Sequence, residues 1–221
     1  MNEQVDDKTS ITCLDASDHG PFKDNRSFSM SNFFGPVVQQ GYVVPNIDAA
    51  VAHWLARGVG PFFIADIKSM AGTYNGEPIS ADMRAGFAYC GDQQIEVITP
   101  EGTNPSIYKD YLKSNPQGGL QHLAYWVNDI DEKLSELTAA GQDFKVWQRY
   151  GESPSFKAHA YIDSVLAPGV MIQLMAISDF YEMFFGVIKN AASSWDGRTD
   201  PIRMLDLSDG KPKGVPYARP N

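Results

Sequence analysis

The sequence predicts an α+β fold of two βαβββ modules followed by a C-terminal helical extension, and three observations predict it. The stretch QQGYVVPNIDAAVAHWLARG at residues 39–58 lies without a gap on HLAYWVNDIDEKLSELTAAG at residues 122–141, so that Tyr42 falls on Tyr125, Val44 on Val127, Asp48 on Asp131 and Gly58 on Gly141. Self-similarity of this kind marks a duplicated supersecondary unit. The far ends of the two copies also match, Ile95-Glu96-Val97-Ile98 falling on Ile172-Gln173-Leu174-Met175 after a shorter loop in the second copy. Beyond the second copy, Phe180, Phe184, Val187, Ile188, Ala191 and Trp195 recur at helical spacing and have no counterpart in the repeat.

Residues 1–35 form a polar leader rich in Asp, Ser and Asn, with Gly20-Pro21 and Gly35-Pro36 as breakers. The first module spans 36–100. It opens with a β-rich run at 37–44, after which Pro45-Asn46 starts a helix whose apolar positions are Ile47, Val51, Trp54 and Leu55, stopped by Gly58 and Gly60-Pro61. Strands follow at 62–67, at 82–90 after a Gly-bearing crossing over 70–80, and at 93–98 after the turn Gly91-Asp92. The linker 101–118 carries Pro105 and Pro116 and a short helix near 106–113. The second module, 119–177, repeats the order with a strand at 120–127, a helix at 130–140 and strands at 143–148, 157–163 and 170–175. Ser178 can cap the last helix, whose aromatic stripe reads as core or as a subunit contact. The Pro- and Gly-rich tail from Asp196 reads as an extended strap on the surface.

With 221 residues, 43% hydrophobic and 20% charged, the chain has ordinary globular composition. A net charge of -9 argues against a nucleic-acid surface, which needs clustered Lys and Arg. No apolar run reaches the roughly 18 residues of a membrane span, and the acidic N-terminus lacks the pattern of a signal or transit peptide, so the expectation is a cytoplasmic protein without membrane partners. Cys13 and Cys90 stand in contexts that suggest neither a disulfide framework nor a zinc knuckle and read as free thiols.

Side chains alternate across a strand, which sorts the polar residues onto faces. Tyr42 and Val44 are good packers and recur as Tyr125 and Val127, so they go to the helix side. Gln39 then faces the concave side, and the same parity sends Glu96, His122 and Gln173 there. If the modules pack edge to edge about a pseudo-twofold axis, the four converge, and a carboxylate, an imidazole and two amide oxygens suit a divalent ion bound by N and O donors. Singly, a strand His or Gln is ordinarily a hydrogen-bonded core residue. A carboxylate within an apolar strand is costlier to explain that way, and matched placement across a repeat favours the metal reading.

At these residues the chain resembles the vicinal oxygen chelate superfamily, the glyoxalase and bleomycin-resistance group, and within it the glyoxalase-like proteins near methylmalonyl-CoA epimerase. The resemblance covers roughly residues 37–177 and is strongest over 39–48, 94–100 and 122–127. It implies a half-open mixed β-barrel around a metal, with ligands Gln39, Glu96, His122 and Gln173. The chain departs from the family at Gln173, where Glu is usual and in glyoxalase I also serves as a base. An amide cannot take a proton at neutral pH. Proton chemistry then rests on Glu96 as the catalytic residue, or on another group of the cup such as His159 or Tyr161, or is absent. Val43 stands where the glutathione-dependent enzymes carry an Arg, which disfavours glyoxalase I activity itself.

The resemblance thus implies a divalent-metal-dependent isomerase, epimerase or lyase that stabilises an enolate, with Zn, Ni, Co, Mn or Mg as cofactor. On the parity argument Val43, Ile98, Trp126, Met171 and Met175 line an apolar cup for a small hydrophobic carbonyl substrate. No basic cluster for a coenzyme A phosphate is evident, although the tail has Lys and Arg to offer. The alternative is a metal-free binding or sequestering protein of the bleomycin-resistance type, favoured by the two neutral amides. An extradiol dioxygenase needs two His and one carboxylate, and only one His holds a ligand position. The family's habit and the aromatic C-terminal helix together imply a homodimer.

Overall fold

The computed structural model describes residues 34–153, 156–163, 169–206 and 211–217, so the reading of the leader falls, but for its last two residues, outside the described residues. The first module runs β1 (Gln39–Val43), α1 (Ile47–Leu55), β2 (Phe62–Tyr74), β3 (Glu77–Cys90) and β4 (Gln93–Glu101). After α2 (Ile107–Ser114) the second runs β5 (Gly119–Val127), α3 (Ile130–Ala139), β6 (Val146–Ser153), β7 (Phe156–Ile162) and β8 (Met171–Ala176). The chain ends with α4 (Asp179–Ser193), β9 (Ile202–Asp206) and β10 (Lys213–Pro216).

Each helix starts where a short polar side chain can satisfy a free backbone N–H. Asn46 accepts from Ala49, Ser106 from Lys109, Asp129 from Glu132 and Ser178 from Tyr181. Burial of Ile47 and Val51 then fixes α1 on the outer face of the sheet, each side chain contributing roughly 1.5–3 kcal/mol. Tyr42 and Val44 pack in that same cluster, and Tyr42 meets Trp54 edge to face at 5.5 Å. Val127 packs with Ile130 and Leu174 beneath α3.

The strands form one sheet in the order β10-β9-β2-β3-β4-β1-β5-β8-β7-β6, and β6 returns to pair with β2 at Gly72–Tyr74. Eight strands thereby close a half-open barrel from the two modules. β1 and β4 run parallel, as do β5 and β8, while β1 and β5 meet antiparallel as the seam between the modules. The parity that faces Gln39, Gly41 and Val43 inward is visible in the alternate burial of β1.

Two elements differ from expectation. The segment 70–80 is not a crossing but the tip of a long β2–β3 hairpin, whose two turn residues Asn75 and Gly76 have φ of 52° and 84°. Such positive φ values are what a two-residue hairpin turn requires. The tail is not a surface strap: β9 pairs parallel with β2 at Phe62–Ile64 and β10 pairs antiparallel with β9. Cys90 is a free, exposed thiol. No helix among the described residues is long and apolar enough to cross a membrane.

Candidate functional site

The site grows from register. Gly41 on β1 has Glu96 of β4 as its partner on one side and His122 of β5 on the other. One row along the strands, Ala124 on β5 lies between Gln39 of β1 and Gln173 of β8. Four polar side chains therefore surround two small residues on the inner face, with both modules supplying a pair.

The small residues make the room. A Cβ at Gly41 would stand 1.8 Å from Cε1 and 2.1 Å from Nε2 of His122, so the imidazole lies over the bare Gly41 backbone. Register slips between Gly41 and Tyr42: Gly41 faces His122 and Tyr42 faces Leu120, which leaves Gln121 as the extra residue of a β-bulge. A bulge re-aims a side chain. Here it brings Gln121 Oε1 to 2.7 Å from His122 Nδ1. With Nδ1–H donating to that oxygen, Nε2 keeps its lone pair for the site.

The amides are oriented in the same manner. Gln39 Nε2 donates to Gln94 Oε1 at 2.7 Å, and Gln173 Nε2 donates to the Tyr161 hydroxyl at 2.8 Å. Tyr161 in turn shares a 2.7 Å hydrogen bond with Tyr108. Each carbonyl oxygen is thus left without a partner of its own. Among the described residues Gln39 Oε1, Glu96 Oε2, His122 Nε2 and Gln173 Oε1 are all buried with no hydrogen-bond partner. His122 Nε2 and Glu96 Oε2 are 3.2 Å apart but are not aligned to bond one another. Buried polar atoms ordinarily find partners, and four acceptors left over in one patch fit a divalent cation with N and O donors. No three His, Cys, Asp or Glu side chains gather into a ligand group among the described residues, since two of the four positions are amides.

Above this patch lies a cavity of about 250 Å³, into which Gln39, Glu96 and Gln173 open. His122 is 0% exposed and reaches the site from behind. Burial first, then the Glu96 charge, raises the hydroxyl pKa of Tyr150, Tyr161 and Tyr181. They stay neutral and can donate hydrogen bonds. His159, which also lines the cavity, shares a 2.6 Å hydrogen bond between Nε2 and the Tyr181 hydroxyl. Burial, with a smaller push from His122, lowers its pKa to about 3, so its ring is neutral.

The expected cup residues divide. Met175 lines the cavity. Val43 and Ile98 face inward but are 0% and 1% exposed, packed in the core deeper along the strands. Trp126 lies under α4 against Phe185, with ring centroids 4.8 Å apart, and Met171 lines a different pocket. The aromatic face of α4 is likewise not a free subunit contact: Tyr181, Phe184, Phe185 and Ile188 are buried, and the first three line the cavity. Parity faces Gly41 and Gln94 inward beside Gln39 and Glu96 but gives neither a role, and it passes over Gln121, which adjoins His122 in sequence.

Solved structures similar to this chain include methylmalonyl-CoA epimerase from Mycobacterium tuberculosis, at 19% identity over 66% of this chain and 90% of that one, with a TM-score of 0.45. A hypothetical protein from Bacillus halodurans is 15% identical over 65% of this chain and 95% of its own, with a TM-score of 0.44. A mutant of 4-hydroxymandelate synthase from Streptomyces coelicolor is 12% identical over 63% of this chain and 38% of its own, with a TM-score of 0.42. Among curated proteins none matches the sequence. Residues 38–158, more than half of the chain, match the model of the Glyoxalase/Bleomycin resistance protein/Dioxygenase superfamily, and the chain belongs to that superfamily.

Proposed function

We propose that this protein is a divalent-metal-dependent isomerase, epimerase or lyase acting next to the carbonyl of a small hydrophobic compound. One observation carries the reading: four buried acceptor atoms, two from each module, are left without partners around one centre. Gln39, Glu96, His122 and Gln173 would hold the ion, with Gln94, Gln121 and Tyr161 fixing how three of them point. A divalent cation in such a site supplies Lewis-acid stabilisation of an enolate oxygen.

The chain's own residues do the rest. Glu96 is the carboxylate of the cavity wall and accepts the proton from the carbon beside the carbonyl at a carboxylate oxygen, then returns it. Gln173 takes no part in proton transfer, and its role is to offer Oε1. The neutral hydroxyls of Tyr150 and Tyr181 stand on the same wall and can orient a substrate oxygen by donating to it. The apolar remainder of the wall excludes water, which strengthens these interactions.

A metal-free binding protein is the second reading, favoured by the neutrality of Gln39 and Gln173 and by the largely apolar wall. Elemental analysis of protein purified without a metal-binding tag, beside Glu96→Gln and His122→Ala, separates the two. Near-stoichiometric metal in the parent, lost in both variants, is expected, together with deuterium exchange at the carbon beside the carbonyl in 2-oxo acids. A parent that takes up no divalent ion even on reconstitution sinks the enzyme reading and leaves the binding protein.

A further inference from the structure

We infer that the Tyr150 hydroxyl is a second polar anchor of the cup, donating a hydrogen bond to an uncharged oxygen of the substrate other than the one the ion holds. This deepens the reading above and rests on it for the first oxygen. The substrate class narrows to hydrophobic carbonyl compounds with a further ketone, ester or hydroxyl oxygen.

Unpartnered polar atoms single Tyr150 out. Apart from the four proposed ligand atoms, those buried among the described residues are Arg84 Nε, Gln94 Nε2, Gln148 Nε2 and Tyr150 Oη. Of these residues Tyr150 alone lines the cavity. Three further tyrosines line it, and each has a hydroxyl partner: Tyr108 and Tyr161 bond one another at 2.7 Å, and Tyr181 bonds His159 at 2.6 Å. Tyr150 is 2% exposed, and a hydroxyl so buried ordinarily finds a partner. The Tyr108 hydroxyl and the Gln148 amide stand beside its oxygen as donors without being aligned to bond it, so the Tyr150 proton is the group left to offer.

The ring is held in place by its neighbours. Gly72 of β2 is the register partner of Tyr150 on β6, and a Cβ there would stand 2.8 Å from Tyr150 Cδ1. The ring thus lies over bare backbone, as His122 lies over Gly41. Tyr161 meets it edge to face, with centroids 6.3 Å apart and planes at 90°. In the closed order β2-β3-β4-β1-β5-β8-β7-β6, the proposed ligands take β4, β1, β5 and β8, and β6 is four strands from β1 either way round. Tyr150 therefore comes to the cavity from the wall across from Gln39, where it meets a different oxygen from the one on the ion. No Lys or Arg lines the cavity, whereas Glu96 does, so the wall favours an uncharged acceptor.

Calorimetric titration of the full chain in excess chelator, with acetophenone and with ethylbenzene, which has the same outline without the oxygen, tests the anchor apart from the metal. Tyr150→Phe is expected to weaken acetophenone about 5–10-fold and to leave ethylbenzene unchanged. Tyr181→Phe is expected to retain more of the acetophenone affinity, because His159 already engages that hydroxyl. Tyr150→Phe should also melt no lower than the parent, since the hydroxyl it loses has no internal partner. A parent that does not bind acetophenone, an equal loss for both compounds, a loss confined to Tyr181→Phe, or a lower melting temperature in Tyr150→Phe overturns the proposal. So does a dependence on Tyr150 seen only in metal-loaded protein, where the hydroxyl would be serving the ion's own oxygen. Benzoate binding as tightly as acetophenone overturns the uncharged acceptor. Metal content measured on the same samples keeps the two ideas apart. Tyr150-dependent binding in a protein that takes up no metal supports the anchor and defeats the metal reading, whereas bound metal without that dependence defeats the anchor alone.

Discussion

His122 lies with its ring over Gly41, close enough that a Cβ on Gly41 would fall 1.8 Å from Cε1. No rotation of a fully buried imidazole relieves such an overlap without moving Nε2 off the centre it shares with Glu96. Gly41→Ala is therefore expected to cost about 1–3 kcal/mol of stability through overpacking and to abolish stoichiometric metal binding. Thermal melting and elemental analysis check both, and a variant that keeps its metal would show that His122 Nε2 is not a ligand.

Gln121 touches the proposed ion only through His122 Nδ1. Partners of this kind typically account for a 10–100-fold change in metal affinity. Gln121→Ala should weaken divalent binding by about that factor while leaving the melting temperature of the chelated protein close to that of the chelated parent. Competition against a coloured chelator measures the first quantity, and an unchanged affinity would reduce Gln121 to a packing residue.

Gln173→Glu replaces a neutral carbonyl donor with a carboxylate at a position already oriented by Tyr161, whose hydroxyl can turn to donate. Affinity of an oxygen-rich site rises with the charge of its ligands. The variant should bind divalent ions at least about tenfold more tightly at neutral pH. Equal or weaker binding in the same competition assay would remove Gln173 from the ligand set.

His159 provides a pH signature. Its pKa is held at about 3 in the folded chain against 6.5 as the ordinary value, chiefly by burial. The unfolded chain then binds a proton that the native chain refuses. Stability from this group is complete above 6.5 and falls as the pH drops toward 3, by up to about 1.4 kcal/mol per pH unit. Urea unfolding in excess chelator should show a smaller loss between pH 6.5 and 4.5 for His159→Gln than for the parent. Equal losses would mean that His159 is solvated.

Alternation in strands was enough to bring Gln39, Glu96, His122 and Gln173 together, because a period of two sorts faces independently of loop geometry, and the repeat supplied the partner strand for each. The same rule gives the face but not the depth, and of the five expected cup residues Met175 lines the cavity. Parity says that Val43 and Ile98 face inward but not how far along the barrel the cavity extends, and their row is packed solid. Trp126 is on the expected face yet covered, since nothing in local sequence tells where α4 folds back. The Asn75-Gly76 turn was legible as a hairpin signal, and its glycine was instead read as part of a crossing. Short β9 carries no alternation long enough to announce a parallel partner, and its place beside β2 depends on contacts distant in sequence.

The four proposed ligand positions fall on the four adjacent strands β4, β1, β5 and β8, with Gln39 and Glu96 from the first copy and His122 and Gln173 from the second. An ion held there would be a rivet across the duplication joint. Its free energy of association would count toward keeping the halves together, so loading should merge any separate melting of the two copies into one cooperative transition and raise its midpoint. Stripping the ion would then loosen the β1–β5 joint before it disturbed either βαβββ unit, a division that amide exchange along those two strands would display.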